Sequence, residues 1–249
     1  VIVLKSPREI ERMRVPCRIV AEILGLLRDS VKPGVTTLEL EELAIRETKK
    51  HKAVPAFKGY AGYPYALCCS PNDRVIHGMP NATPLKQGDI LSIDFGVLYD
   101  EFYGDSAITL PVGTISETAR ALMVATEESL YCGIDQAVAG GRLYDISSAV
   151  QRHVEARGYS VVRDFVGHGI GKQLHEDPQV PNYGVAGRGI SLKPGMVLAI
   201  EPMVNSGSYA VKVLQDGWTA VTADGSLSAH FEHTVAVTEH GPEILTRCS

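Results

Sequence analysis

Along the first thirty residues the apolar positions Ile19, Ile23, Leu24 and Leu27 recur at helical spacing. Ahead of them, Ser6-Pro7-Arg8-Glu9 reads as a capping box with proline at the first helical position. The pattern predicts a helix to about residue 31, kinked at Pro16. Thr36-Thr37-Leu38-Glu39 caps a second helix running towards His51, and the Pro-, Gly- and Tyr-rich stretch 57–64 is expected to be a loop. The order then recurs. Ser116 opens a helix towards Gln136, and another from about residue 144 to 157 stops at Gly158. Strands are expected at 90–98 and 101–110, and near 161–166, 196–203 and 234–237. This is an α+β pattern: an antiparallel-rich sheet with helices on one face and a site on the other.

The apolar strands carry a repeat. Leu85-Lys-Gln-Gly-Asp-Ile-Leu-Ser-Ile-Asp94 returns as Leu192-Lys-Pro-Gly-Met-Val-Leu-Ala-Ile-Glu201, each copy a turn feeding a short strand that ends on a carboxylate. Asp94 and Glu201 lie 107 residues apart, too far for a solenoid period and suited to a duplicated subdomain. A carboxylate at the end of a buried strand must be protonated, hydrogen-bonded or bound to a cation, so two equivalent acids point to a shared cation site. Two surface acids where strands meet loops is the plainer alternative.

With 249 residues, 45% of them hydrophobic, the chain can bury one large core. No linker separates the repeats, so a single domain spanning 1–249 is expected, with internal halves of roughly 1–113 and 114–249. A net charge of −5 with mixed signs leaves no basic stripe for nucleic acid. Lys5, Arg8, Glu9, Glu11 and Arg12 argue against a secretory signal, and no apolar run reaches membrane-spanning length, so a soluble cytoplasmic protein is expected. Five cysteines (Cys17, Cys68, Cys69, Cys132 and Cys248) without Cys-x-x-Cys spacing argue against disulfides and zinc ribbons. Cys17 and Cys132 read as small buried hydrophobes, and Cys68, close to aromatics, as a pocket residue.

Asp94 and Asp105 lie on the two arms of the predicted hairpin. With Tyr99-Asp100 as the turn they fall directly opposite each other, where like charges repel unless a cation lies between them. That placement fits a dinuclear site with ions roughly 3.5–4 Å apart. Taken alone, two such aspartates are solvated acids more often than ligands. Other residues favour the site. His168 stands among glycines in Phe165-Val166-Gly167-His168-Gly169-Ile170-Gly171, where backbone can approach an ion. His175 precedes Glu176-Asp177-Pro178, His77 precedes Gly78, and Glu232 sits between His230-Phe231 and His233 at the start of an alternating strand. Asp94, Asp105, His168, Glu201 and Glu232 make an oxygen-rich set with one nitrogen and no thiolate, suited to Mn, Fe, Co or Zn and to metal-assisted hydrolysis.

On these residues the chain resembles the type I methionine aminopeptidases of the pita-bread metallopeptidases over nearly its whole length. The five ligand candidates fall in order in the family's segments, His77 and His175 fall on its two auxiliary histidine positions, and Glu201-Pro202-Met203 and Asp216-Gly217-Trp218-Thr219 are similar to the family's. The resemblance implies a pita-bread fold: two pseudo-symmetric halves, a central antiparallel-rich sheet and helices outside. It implies two divalent ions (Co, Mn, Fe or Zn), with Asp94 on one, His168 and Glu201 on the other, and Asp105 and Glu232 bridging. It makes Glu201 the general base, sets His175 at the carbonyl oxygen and His77 at the scissile amide, and encloses a methionine side chain with Phe57, Tyr60, Tyr63, Cys68 and Trp218. The implied activity is removal of the initiator methionine from nascent chains, preferentially before a small second residue, by a monomer of the short bacterial form. Nascent N-termini, and the ribosome that carries them, are the implied partners. In some relatives residues matching Asn72 and Ser228 cradle a monovalent cation. Two positions depart from the pattern: Leu174, commonly aromatic, and His230, often polar and uncharged.

Two rivals follow. A proline-specific aminopeptidase or prolidase of the same fold would share all five ligands but generally carries a large N-terminal domain, for which a first helix capped at Ser6 leaves no room. A non-catalytic binding module of this fold would have lost ligand residues, and all five are present.

Overall fold

The structure, a computed structural model, describes residues 1–247; Cys248 lies outside them. Among the described residues four α-helices form: α1 (Pro7–Ser30), α2 (Thr37–Lys50), α3 (Glu117–Ile134) and α4 (Leu143–Glu155). Both expected capping boxes close, Ser6 with Glu9 and Thr36 with Glu39. The helix α1 continues through Pro16 as one element, held along its length against the sheet. The loop after α2 contains one short 3-10 turn, Tyr60–Gly62.

The strands in chain order are β1 (Val54–Pro55), β2 (Leu67–Pro71), β3 (Arg74–Ile76), β4 (Ile90–Tyr99), β5 (Phe102–Pro111), β6 (Ser160–Val161), β7 (Gly167–Gly169), β8 (Glu176–Val180), β9 (Val197–Ile200), β10 (Met203–Asn205), β11 (Val211–Val213), β12 (Ala220–Thr222), β13 (Ser228–His230), β14 (Glu232–Thr238) and β15 (Gly241–Ile244). A nine-stranded sheet runs β1-β4-β5-β14-β9-β7-β8, with β2 beside β4 and β15 beside β14; β13-β10-β6 and β11-β12-β3 form two smaller sheets. All pairings are antiparallel.

Two sequence expectations change. The strand expected at 161–166 shrinks to β6 and resumes only at β7, and the one expected at 196–203 is split at Glu201-Pro202. Proline offers no N–H to a ladder, so the chain leaves the large sheet there. The register nevertheless continues across the break, with Ile200 opposite His233 in one sheet and Met203 opposite His230 in the next. One antiparallel ribbon is therefore bent between two sheets, and Glu201 and Glu232 sit at the bend.

Alternation along the strands divides core from site. Leu91, Ile93, Phe95 and Val97 of β4 pack with Ile19, Val20, Ile23 and Leu27 of α1 and Leu40 of α2. Leu198 and Ile200 of β9 and Val235 and Val237 of β14 pack with Leu130 and Ile134 of α3 and Ile146 of α4. Each such side chain contributes about 1.5–3 kcal/mol by burial. The positions between them face the other way. Gly104 of β5 lets α1 lie directly on the sheet, because a Cβ there would meet Cys17 N at 2.6 Å and the Pro16 carbonyl carbon at 2.8 Å. Backbone cannot rotate away from such a clash, so Gly104→Ala should cost about 3 kcal/mol, the upper end of ordinary overpacking. An unchanged urea midpoint would contradict the close packing.

Candidate metal centre and adjoining pocket

The hairpin β4–β5 turns at Asp100-Glu101, not at Tyr99-Asp100, and Tyr99 pairs with Phe102. Both turn residues have left-handed φ, 47° and 70°, as a two-residue type I′ turn requires, and Arg12 of α1 bonds Asp100 and Glu101 from outside. Asp94 therefore faces Ala107, and Asp105 faces Gly96. The direct opposition expected from sequence becomes a diagonal one. A shift of two residues preserves the face, so both carboxylates still point the same way.

The other donors join that face through the sheet. Glu232 pairs with Ala107, which pairs with Asp94, and by the register of β9 with β14 Glu201 falls opposite Glu232. His168 pairs with Ala199, two positions before Glu201. The residues between the acids are small (Gly96, Ala107, Ala199), which leaves space above the sheet for ions. Thr234 anchors Asp105: its hydroxyl donates to the Asp105 carbonyl at 2.7 Å and accepts from the Asp105 N–H at 3.3 Å. Asn182 donates to the Glu201 carbonyl at 3.0 Å. Neither residue carried a spacing signal in the sequence. The glycines flanking His168 serve the strands more than the ion. A Cβ at Gly167 or Gly169 would run into the carbonyl oxygens of Ala199 and Asp177 on the neighbouring strands.

All five candidate ligands are buried. Asp105, His168 and Glu232 offer ligand atoms within 4.8 Å of one another, as do Glu201, His230 and Glu232. His168 Nε2 lies 3.6 Å from Glu201 Oε1 and 3.9 Å from Asp105 Oδ2. Its Nδ1 lies 2.9 Å from the Gly169 carbonyl, a contact that places the proton on Nδ1 and leaves the Nε2 lone pair free. Burial pushes Asp94 up to about 7 and Glu201 up to about 8. Burial and then neighbouring carboxylates raise Asp105 and Glu232 well above the ordinary range. Burial, and next the adjacent His175, pushes His168 down to about 3. Asp94 Oδ1, Asp105 Oδ1 and Glu232 Oε1 are buried without a hydrogen-bond partner. Four buried acids and a neutral imidazole, with orphaned oxygens on one face, are a donor set that divalent cations fit.

Beside these donors opens a cavity of about 160 Å³ lined by Phe57, Tyr60, Tyr63, Cys68, His77, His175 and Trp218, every pocket residue expected from sequence, together with Ala61, Ile76 and Leu174. Cavities for drug-sized ligands run roughly 300–1,000 Å³, so this one suits a single side chain. Cys68 reaches it because it pairs with Asp94 across β2 and β4. Tyr63 stacks edge-on to Trp218 at 5.1 Å while its hydroxyl donates to the Leu67 and Gly78 carbonyls. Glu41 of α2 accepts the Ala66 and Leu67 N–H groups at 2.8 Å and pins the pocket loop to the core. Ile76 was missed in the sequence, although it adjoins His77 on the short β3.

His77 holds a left-handed φ of 59°, strain of a kind concentrated at functional sites, and burial pushes it down to about 4, with His230 and His175 adding to the effect. His175 lies 4.3 Å, ring to ring, from His168, and its Nδ1 is 2.7 Å from the Tyr60 hydroxyl. The two histidines flanking Glu232 separate. His230 reaches Glu201, while His233 turns to the helix side and bonds Thr246. Asn72 and Ser228 are adjacent, the Ser228 N–H donating to the Asn72 carbonyl at 2.9 Å. Cys17, Cys68 and Cys69 are buried; Cys132 is partly exposed, contrary to expectation, with its sulfur 3.3 Å from His153 Nδ1.

Comparison with known proteins agrees with this geometry. Metallopeptidase family M24 matches residues 11–239. A methionine aminopeptidase from Clostridium perfringens is 57% identical over 98% of both chains. The crystal structure of a methionine aminopeptidase from Thermotoga maritima superposes with a TM-score of 0.98 at 48% identity, covering 100% of both chains. A prolidase from Pyrococcus furiosus shares the pita-bread fold alone, with a TM-score of 0.80 at 24% identity over 99% of this chain and 66% of that one. The chain belongs to metallopeptidase family M24 and, within it, to the methionine aminopeptidases.

Proposed function

We propose that the protein is a metal-dependent aminopeptidase that removes methionine from the N-termini of polypeptides, preferentially ahead of a small second residue. The observation that carries this reading is the contact between a one-residue apolar cavity and a face of five buried metal donors. Asp94, Asp105, His168, Glu201 and Glu232 would hold two divalent ions of the Mn, Fe, Co or Zn class. Such ions, when bound, lower the pKa of water towards neutrality and polarise a carbonyl.

The chain's own groups do the rest. The cavity takes the methionine side chain between Tyr63, Cys68 and Trp218, where aromatic rings and a soft sulfur suit a thioether. That placement brings the free α-amine and first carbonyl over the carboxylate face. Glu201 accepts the proton of the attacking water and passes it to the departing amine. His175, with Nδ1 engaged by the Tyr60 hydroxyl, presents Nε2–H to the carbonyl oxygen as negative charge develops. His77, held neutral by burial, lies across the cavity to bond the scissile amide. A wider groove of about 960 Å³ shares His168 and His175 with the cavity and provides room for the residues that follow.

Peptides of the Met-Gly and X-Pro types test the assignment. Met-Gly cleavage is expected, abolished by chelator and restored by Mn²⁺, with no turnover of X-Pro. Preference for X-Pro would move the protein to the proline-specific branch. An inert chain taking up no metal would make it a binding module.

A further inference from the structure

Among the described residues, His230 is a donor near the centre without a role in the reaction above. Its ring is 1% exposed, and neither ring nitrogen has a hydrogen-bond partner. Such isolation is costly for a buried polar group and marks a nitrogen kept for something. Its Nε2 lies 3.4 Å from Glu201 Oε2, whereas His168 Nε2 lies 3.6 Å from Oε1 of the same carboxylate. The two imidazoles thus address different oxygens of one side chain. A ligating carboxylate works in this way, one oxygen on the ion and the other fixed by a donor behind it.

We propose that His230 is a positioning residue whose Nε2–H closes the 3.4 Å gap to Glu201 Oε2 when a cation is bound, so that Oε1 stays aimed at the cation shared with His168. The inference rests on the metal site proposed above. The competing role, direct ligation by His230, is opposed by Nδ1. A ligating histidine has its second nitrogen anchored, as His168 Nδ1 is on the Gly169 carbonyl, and His230 has no such anchor.

Calorimetric titration of Mn²⁺ into chelator-stripped protein decides the matter, with Co²⁺ absorption as a second readout. His230→Ala should weaken Mn²⁺ binding by about 10–100-fold. His230→Gln, whose amide can still donate, should bind within about threefold of the parent and keep the cobalt bands unchanged. Equal affinity of parent and His230→Ala would overturn the proposal. So would a His230→Gln protein that binds more than about tenfold weaker or shows altered cobalt bands, since the ring would then be a ligand. The Gln arm decides alone if His230→Ala fails to fold. A parent that takes up no Mn²⁺ would instead refute the underlying metal site.

Discussion

Asp105→Asn should remove peptidase activity and leave the fold in place. The substitution keeps the volume of a side chain that is 4% exposed, and the backbone anchors to Thr234 do not depend on its charge. What it removes is a carboxyl oxygen that is buried and unpartnered among the described residues and could become anionic on a cation, in the position proposed to be shared by two ions. Loss of an outer partner of a metal ligand costs roughly 10–100-fold in affinity or activity, so loss of the ligand itself should exceed about 100-fold in kcat/KM. Stability should move the other way. Burial, then Asp94 and Glu201, raise the Asp105 pKa, so ionising this carboxyl as pH rises costs stability, and an amide never ionises. The stripped variant should therefore unfold at a urea midpoint equal to or above that of the stripped parent. Near-parental activity would remove Asp105 from the site, and a collapsed midpoint would make its role structural.

The second large effect is on pH. Affinity for Mn²⁺ should climb steeply between pH 6 and 8, with protons released to the buffer. Asp94 is pushed up to about 7 and Glu201 to about 8, first of all by burial, and Asp105 and Glu232 are raised as well, so a cation entering at pH 6 must displace protons. Each proton displaced contributes roughly tenfold in affinity per pH unit. His168, at about 3, is already neutral and contributes none. The sign for stability follows. A carboxyl whose folded pKa is raised stabilises the fold most below its unfolded value of about 4, and that contribution is lost as pH rises through 7 and 8. Stabilisation by Mn²⁺ should accordingly be greatest at the alkaline end. Calorimetry in buffers of different ionisation enthalpy measures the proton release, and an affinity flat from pH 6 to 8 would refute it.

Much of the site was legible because its chemistry conflicts with its surroundings. Carboxylates closing apolar strands at Asp94 and Glu201 announce a missing partner, and capping boxes at Ser6 and Thr36 mark helix starts with little ambiguity. Register was harder to read. Asp100-Glu101 carries no glycine or asparagine, so nothing local marks it as the left-handed turn it becomes. Asp94 and Asp105 still share a face only because the slip was an even number of residues. The strand break at Glu201-Pro202 did have a signal, the missing proline N–H, which the apolar run on either side obscured. Asn182 and Thr234 could not be foreseen, since each acts by fixing the backbone of a residue distant in sequence. The glycines flanking His168 have a further reason that the sequence alone does not show: they admit the neighbouring strands.

The position of β14 has a consequence for synthesis. In space it lies between β5 and β9, but in sequence it follows both, beginning at Glu232. Until the ribosome has released it, the growing polypeptide holds two separate sheet fragments with bare edges, the kind of surface that invites aggregation. A product truncated before that strand would be sticky and without hydrolytic capacity, since it would lack both the strand that joins the two fragments and Glu232.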